Sequence, residues 1–272
     1  MIKSRSLAEL ASLKGRVALI TGGGGHIGSV IADGLAELGA SIILIDRSDE
    51  ALSAAAADIT RRWGAECKYI NIELERLDEI EDIAGAVKGL FGRLDVLVNC
   101  AAFVGTTQLE GWGVPLAEQS MKTWRRAVEV NMNAPFILTR ACAAMLAGSG
   151  RGSVVNIASI YGMVGHTYPI YEGTSLEGAT PFAYGTSKGG LLQMTRLLAT
   201  ALAPSVRVNA ITPGGVERGQ DPNFIKNYSA HTPLGRMAAE EDMKGAAAYL
   251  ASDLSAYVTG QNIPVDGGWS AW

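Results

Sequence analysis

A chain of 272 residues with 48% hydrophobic and 18% charged side chains can bury a sizeable core, as one large α/β domain or two small ones, and is far from a disordered composition. Its formal net charge of −4 leaves no basic footprint for nucleic acid, and no stretch approaches the ~18 uninterrupted apolar residues of a membrane span. Cys67, Cys100 and Cys142 form an odd, unpatterned set and His26, His166 and His231 are scattered, so free thiols and no metal site are expected.

The first residues, MIKSRSLAELASLKGR, lack the apolar core of a signal peptide, so the expected location is the cytoplasm. Residues 1–14 read as a short amphipathic extension outside the main domain. Val17 to Ile20 read as a buried strand, and Thr21 with Gly22 to Gly25 breaks it. From His26 onward, Ile27, Val30, Ile31, Leu35 and Leu38 fall on one helical face. A strand, a glycine turn and a helix N-terminus in that order make an anion site. Glycine lets the backbone approach a pyrophosphate, and the free N–H groups and the helix dipole face it. The second strand, Ser41 to Asp46, ends in a carboxylate about 20 residues beyond Gly28, where a dinucleotide fingerprint places the acid that accepts from the adenosine ribose.

Ser48 to Trp63 reads as helix, Cys67 to Ile72 as the third strand and Leu77 to Phe91 as helix. Leu94 to Asn99 is nearly all apolar, as suits a parallel strand covered on both faces. The loop Phe103 to Gln119, with Trp112 between two glycines, either covers a substrate or caps the core. A long helix is expected over Met121 to Met145, kinked near Pro135. Ser153 to Ser159 is the fifth strand, Phe182 to Leu202 a helix, Val206 to Thr212 the sixth strand, Ala238 to Ala251 a helix and Asn262 to Asp266 the last strand. Alternation without a linker predicts one doubly wound α/β domain over 15–272, with a parallel sheet of about seven strands and helices on both faces.

Tyr184 and Lys188 stand at i and i+4, one turn apart on the same helical face. A free tyrosine hydroxyl titrates near ~10, and a neighbouring cation favours its phenolate. Many helices carry such a pair by chance. Ser159 gives it weight, because it ends a strand, and ligands of α/β sheets sit at the carboxyl ends of strands. Asp46 and Asn99 fall at such ends too.

Thr21-Gly22 followed by Ile27-Gly28 resembles the TGxxxGIG motif of the short-chain dehydrogenase/reductase family, with His26 where that family usually has Gly. Asn99-Cys100-Ala101-Ala102 resembles its NNAG segment, and Ser159, Tyr184 and Lys188, with Asn131 upstream, match its catalytic tetrad residue by residue. The resemblance runs from Gly15 to Gly268 and implies a single-domain Rossmann fold. It implies that Tyr184 is the general acid or base, that Ser159 hydrogen-bonds the substrate oxygen, that Lys188 lowers the Tyr184 pKa and holds the nicotinamide ribose, and that Asn131 positions a water leading from Lys188 to solvent. Cofactor contacts are implied at Gly22, Gly25, His26, Ile27, Gly28, Asp46, Arg47, Asn71, Ile72, Asn99, Ala101, Tyr184, Lys188, Pro213, Gly214 and Val216. Asn71 stands where the family commonly has an adenine-contacting Asp, and Glu217 where it often has a Thr that contacts the carboxamide. Asp46 favours NAD over NADP by accepting from both ribose hydroxyls and repelling a 2′-phosphate, although Arg47 beside it would favour phosphate.

The expected substrate is a small secondary alcohol or ketone, bordered by loops at 103–119, 160–181 and 214–235. The stretch between Ser159 and Tyr184 is longer than most family members have; Tyr168, Tyr171 and Glu172 within it either bind a hydroxylated substrate or belong to a self-packed loop. The inserted IYEGTS, the PGG after the sixth strand and the terminal TGQNIPVDGGWS are similar to a subgroup associated with bacterial flagellin modification and legionaminic-type sugar biosynthesis, which implies a sugar or nucleotide-sugar substrate. A 3-oxoacyl-thioester reductase is the runner-up within the same chemistry, and a non-catalytic dinucleotide sensor the alternative from another class; intact Ser159, Tyr184 and Lys188 argue against the sensor. Too little chain follows Thr212 for the substrate domain of a nucleotide-sugar epimerase. Family members are commonly tetramers, which implies a homo-oligomer, tetramer or dimer, with Trp269 and Trp272 buried against a neighbour.

Overall fold

The computed structural model describes residues 4–105, 107–174 and 180–272. Residues 1–3 of the expected extension, Thr106 of the first substrate loop and residues 175–179 of the second lie outside them. Seven parallel strands, β1 (Val17–Thr21), β2 (Ser41–Asp46), β3 (Cys67–Asn71), β4 (Val96–Asn99), β5 (Gly152–Ile157), β6 (Val206–Pro213) and β7 (Asn262–Val265), form one sheet in the order β3-β2-β1-β4-β5-β6-β7. This is the expected doubly wound architecture. The central strands β1, β4 and β5 are buried at every position, because helices cover both faces and leave no solvent side for polar alternation.

Successive side chains divide between the two layers. Ala18, Ile20, Leu44 and Val98 pack with Ile31 and Leu35 of α2 (His26–Glu37), Leu52 and Ile59 of α3 (Asp49–Trp63) and Leu250 of α10 (Asp242–Ala251). Leu19, Ile43, Leu97 and Val154 face the opposite layer. There they meet Ile80 of α4 (Leu77–Glu81), Ile83 and Val87 of α5 (Ile83–Phe91), Leu138 and Leu146 of α7 (Ala134–Gly148) and Ala199 of α8 (Phe182–Leu202). The extension carries a short helix, α1 (Leu7–Ala11), closed at its start by a Ser6–Glu9 capping box.

Three local features depart from expectation. The helix over 77–91 breaks at Asp82 into α4 and α5. The long helix over 121–145 consists of α6 (Met121–Val128), a π-helical turn (Glu129–Asn133) and α7. Pro135 has no N–H to offer the carbonyl four residues back, that of Asn131, and the ladder widens so that Ala134 N–H donates to Glu129 O. The region 214–235 is not all loop, because it holds α9 (Pro222–His231). Asp221 caps that helix by accepting from Asn223 N–H, and Pro222 suits its first turn. Among the described residues no helix is long and apolar enough to cross a membrane.

Candidate active site

The strand order reverses between β1 and β4, and the cleft outside their carboxyl ends is where such sheets bind ligands. Thr21 Oγ1 pins the two ends together by accepting from the N–H groups of Cys100 at 3.0 Å and Ala101 at 3.1 Å. Gly22 turns the chain at φ 68°, and a Cβ on it would lie 3.0 Å from the Ala101 backbone. A Cβ on Gly28 would lie 2.1 Å from Gly22 O, so the first turn of α2 seats directly against the glycine turn. Neither backbone atom can swing aside as a side chain would. Gly28→Ala is therefore expected to destabilise the fold by about 1–3 kcal/mol, read as a lowered Tm. Gly25 caps α2 without a side-chain hydrogen bond. His26 is exposed, with Nδ1 3.1 Å from Glu240 Oε1, while Ile27 packs on the core.

Asp46 lies against this turn. Its Oδ2 accepts from Gly24 N–H at 3.2 Å and its Oδ1 from Arg47 N–H at 2.8 Å and Ser48 N–H at 3.3 Å. Arg47 reaches away to Glu73 at 3.8 Å. Asn71 Nδ2 and Ile72 N–H both donate to Asp46 O, at 3.2 and 3.0 Å. Asn99 sits differently from the other expected cofactor contacts. Its buried side chain donates to Asn156 Oδ1 at 2.8 Å and its Oδ1 has no partner among the described residues, so it ties β4 to β5 inside the sheet and leaves its main chain at the cleft. Pro213 ends β6, a Cβ on Gly214 would lie 2.9 Å from Asp266 Cα, and Val216 pairs with Ala238.

Ser159, Tyr184, Lys188 and Asn131 meet at the start of α8. Ser159 Oγ accepts from Tyr161 N–H at 3.2 Å and is a hydrogen-bond partner of the Tyr184 phenol. Lys188, 2% exposed, donates from Nζ to Ile157 O at 2.7 Å and lies 5.9 Å from the centre of the Tyr184 ring. Asn131 Oδ1 accepts from Phe103 N–H at 2.7 Å, and its Nδ2 donates to Phe103 O and Ser187 Oγ, each at 3.1 Å. Its side chain is thus engaged in holding the 103–119 loop to α8.

Burial pushes the Tyr184 hydroxyl above its ordinary pKa, against the pull of the Ser159 hydrogen bond. Burial also pushes the Lys188 ammonium down to about 8. Desolvation is the largest influence on both groups, and the ammonium both donates to the Ile157 carbonyl and lies over the Tyr184 ring. The phenol consequently remains protonated through neutral pH.

The walls are aromatic. Trp112, 3% exposed, packs with Phe103, Ala127, Val130 and Ala183 behind Tyr184, so this part of the loop caps the core. Tyr171 is buried with its hydroxyl 3.0 Å from that of Tyr161, whereas Tyr168 is 46% exposed and Glu172 lies at the surface. Trp269 is 2% exposed within its own chain, stacked on Tyr228 of α9 at 4.2 Å. This corrects its expected burial against a neighbour; only Trp272, 75% exposed, is free for that. Sequence reasoning missed Tyr161, Tyr228 and the Glu240 contact. Phe224, Ile225 and Tyr228 after an Asp-Pro start were the readable signal for α9.

The family model described as enoyl-(acyl carrier protein) reductase matches residues 24–270. The rhamnolipids biosynthesis 3-oxoacyl-acyl-carrier-protein reductase of Pseudomonas aeruginosa is 34% identical over 95% of this chain and 97% of its own. Sorbose reductase of Schizosaccharomyces pombe is 31% identical over 97% of this chain and 99% of its own. Among solved structures, the RhlG/NADP active-site complex of Pseudomonas aeruginosa superposes with a TM-score of 0.84 at 32% identity, covering 96% of this chain and 98% of the other. NAD+-bound xylitol dehydrogenase does so with a TM-score of 0.82 at 29% identity, covering 94% and 99%. With its glycine turn, its sheet order and its Ser-Tyr-Lys grouping, this chain belongs to the short-chain dehydrogenase/reductase family.

Proposed function

We propose that the chain is an NAD-preferring oxidoreductase that interconverts a secondary alcohol and a ketone on a sugar or sugar derivative. The observation that carries this reading is the meeting of Ser159, Tyr184 and Lys188 beside the glycine turn at the sheet's reversal point. The residues present fit a nicotinamide dinucleotide, since Gly22 and Gly28 let the glycine turn and the first turn of α2 close tightly on each other, which sets the free N–H groups of that helix start beside the Asp46 carboxylate. Gly22, Gly25, His26, Ile27 and Gly28 would hold its diphosphate, Asp46 with Arg47 its adenosine ribose, Asn71 and Ile72 its adenine, and Asn99, Ala101, Pro213, Gly214 and Val216 its nicotinamide half. When bound, the nicotinamide supplies or takes the hydride.

The chain's own groups handle the proton and the charge. Tyr184 gives its phenolic proton to the forming alkoxide in reduction and recovers it in oxidation. Ser159 donates to the substrate oxygen where charge develops. Lys188 holds the nicotinamide ribose and, with the Asn131 carbonyl, passes protons on towards solvent. The sugar assignment draws on the hydroxyl-bearing wall of Tyr161, Tyr168 and Tyr171 and on relatives named for sorbose and xylitol. Reduction of a 3-oxoacyl thioester is the second reading, favoured by the Pseudomonas relative. Exposed Phe136, Leu197 and Trp272 support a homo-oligomer, and unpaired Cys67, Cys100 and Cys142 suit the cytoplasm.

Following reduced-nicotinamide absorbance with polyols, ketoses and an acetoacetyl thioester tests the reading. Turnover of sugars with NADH faster than with NADPH is expected; faster NADPH turnover, or turnover of the thioester alone, would refute it. Asp46→Ala should weaken NADH binding about tenfold and tighten NADPH binding, since the hydrogen bonds to the free ribose hydroxyls are lost while the repulsion of a 2′-phosphate is relieved.

A further inference from the structure

His26 Nδ1 and Arg218 Nε each lie 3.1 Å from one and the same atom, Glu240 Oε1. The three residues come from separate parts of the chain. His26 opens α2 at the glycine turn, Arg218 follows β6 on the substrate side, and Glu240 precedes α10. One carboxylate therefore spans the mouth of the cleft between the proposed diphosphate seat and the segment that borders the substrate. The grouping is not a buried structural ion pair, as side-chain exposures of 29% for Arg218 and 32% for Glu240 show. The Arg218 charge is also felt inward, where it opposes without outweighing the burial that raises the Tyr184 and Cys100 pKa values. A guanidinium, a histidine on the first turn of a helix and that helix's positive end, brought together around one carboxylate oxygen, all favour an anion. Glu240 is the anion that meets two of them here.

We infer that Glu240 stands in for the cofactor's diphosphate, holding Arg218 and His26 until the diphosphate displaces it, and that Arg218 is a diphosphate ligand. The inference rests on the dinucleotide reading of the cleft. A part-exposed ion pair is weak enough to be exchanged, and a guanidinium gains a second parallel hydrogen bond when it moves from one carboxylate oxygen to a phosphate. The exchange also ties the segment after β6 to occupancy of the phosphate seat. While Glu240 holds Arg218, only a fraction of molecules is ready to bind, and apparent affinity falls by that fraction.

Calorimetric binding of ADP and of adenosine to the whole chain separates the possibilities. Glu240→Gln is expected to tighten ADP about fivefold and leave adenosine unchanged. Arg218→Met should weaken ADP about tenfold, and in that background Glu240→Gln should give most of its gain away. If Glu240→Gln does not tighten ADP, or tightens it equally without Arg218 through plain charge repulsion, the exchange is wrong and the dinucleotide reading stands. If neither ADP nor NADH binds the unaltered chain, both fall together. Unchanged adenosine affinity reports that each variant is folded.

Discussion

Tyr184→Phe is expected to lower kcat by about 10²–10⁴-fold, the range that a positioned general acid contributes. NADH affinity should change by no more than about twofold, since the lost atom is one hydroxyl. The ring would stay where it is, packed on the Phe103–Trp112 cluster. The hydrogen bond with Ser159 is lost. Turnover and NADH fluorescence on the same preparation give both numbers. A dinucleotide sensor would bind NADH with or without the hydroxyl and turn over in neither case. Unimpaired turnover in the variant would remove the phenol from the mechanism. The direction of the Tyr184 shift adds a pH signature. A raised pKa keeps the acid form in place, so ketone reduction should hold through neutral pH, while alcohol oxidation, which needs the phenolate, should climb as the pH rises.

Residue types that only one backbone or one chemistry accepts were readable from the sequence. Gly22 and Gly28 are such residues: any Cβ collides with backbone there, and that constraint is local. The strands were readable because a parallel strand covered on both faces has to be an apolar run, as Val96–Asn99 is. What escaped depends on partners distant in the chain. Asn99 looks the same in sequence whether it serves the cofactor or binds Asn156 across the sheet. Trp269 looked like an interface residue because the ring that covers it, Tyr228, belongs to a helix that was read as loop. The kink at Pro135 was foreseeable, but not the π-helical turn before it, whose width depends on how α6 and α7 are both anchored. The pKa order of Tyr184 and Lys188 could not be had from spacing, since i and i+4 fix proximity and say nothing of how dry the site is.

That dryness leads to the second large effect: Lys188→Met should abolish efficient turnover and make the protein more stable at neutral pH. Burial holds the folded-state pKa of Lys188 at about 8, below its ordinary 10.5, so folding disfavours the ammonium. Below pH 8 both the folded and unfolded chains carry the charge and the penalty is present in full, about 3 kcal/mol. As the pH rises from about 8 towards 10.5 the folded protein sheds the proton first and the penalty fades. Methionine fills a similar volume without a charge. It leaves Ile157 O without the 2.7 Å hydrogen bond from Nζ, a loss of about 1 kcal/mol. The net gain of about 2 kcal/mol should raise the Tm by about 4–8 °C in a chain of this size. Thermal denaturation of both proteins across this pH range checks the sign, because the advantage of Lys188→Met should shrink above pH 8. A variant less stable than its parent at neutral pH would mean that the ammonium is compensated where it lies. In that case its retention would need no catalytic reason, whereas a stability gain bought with lost turnover would show that the charge is kept for the reaction.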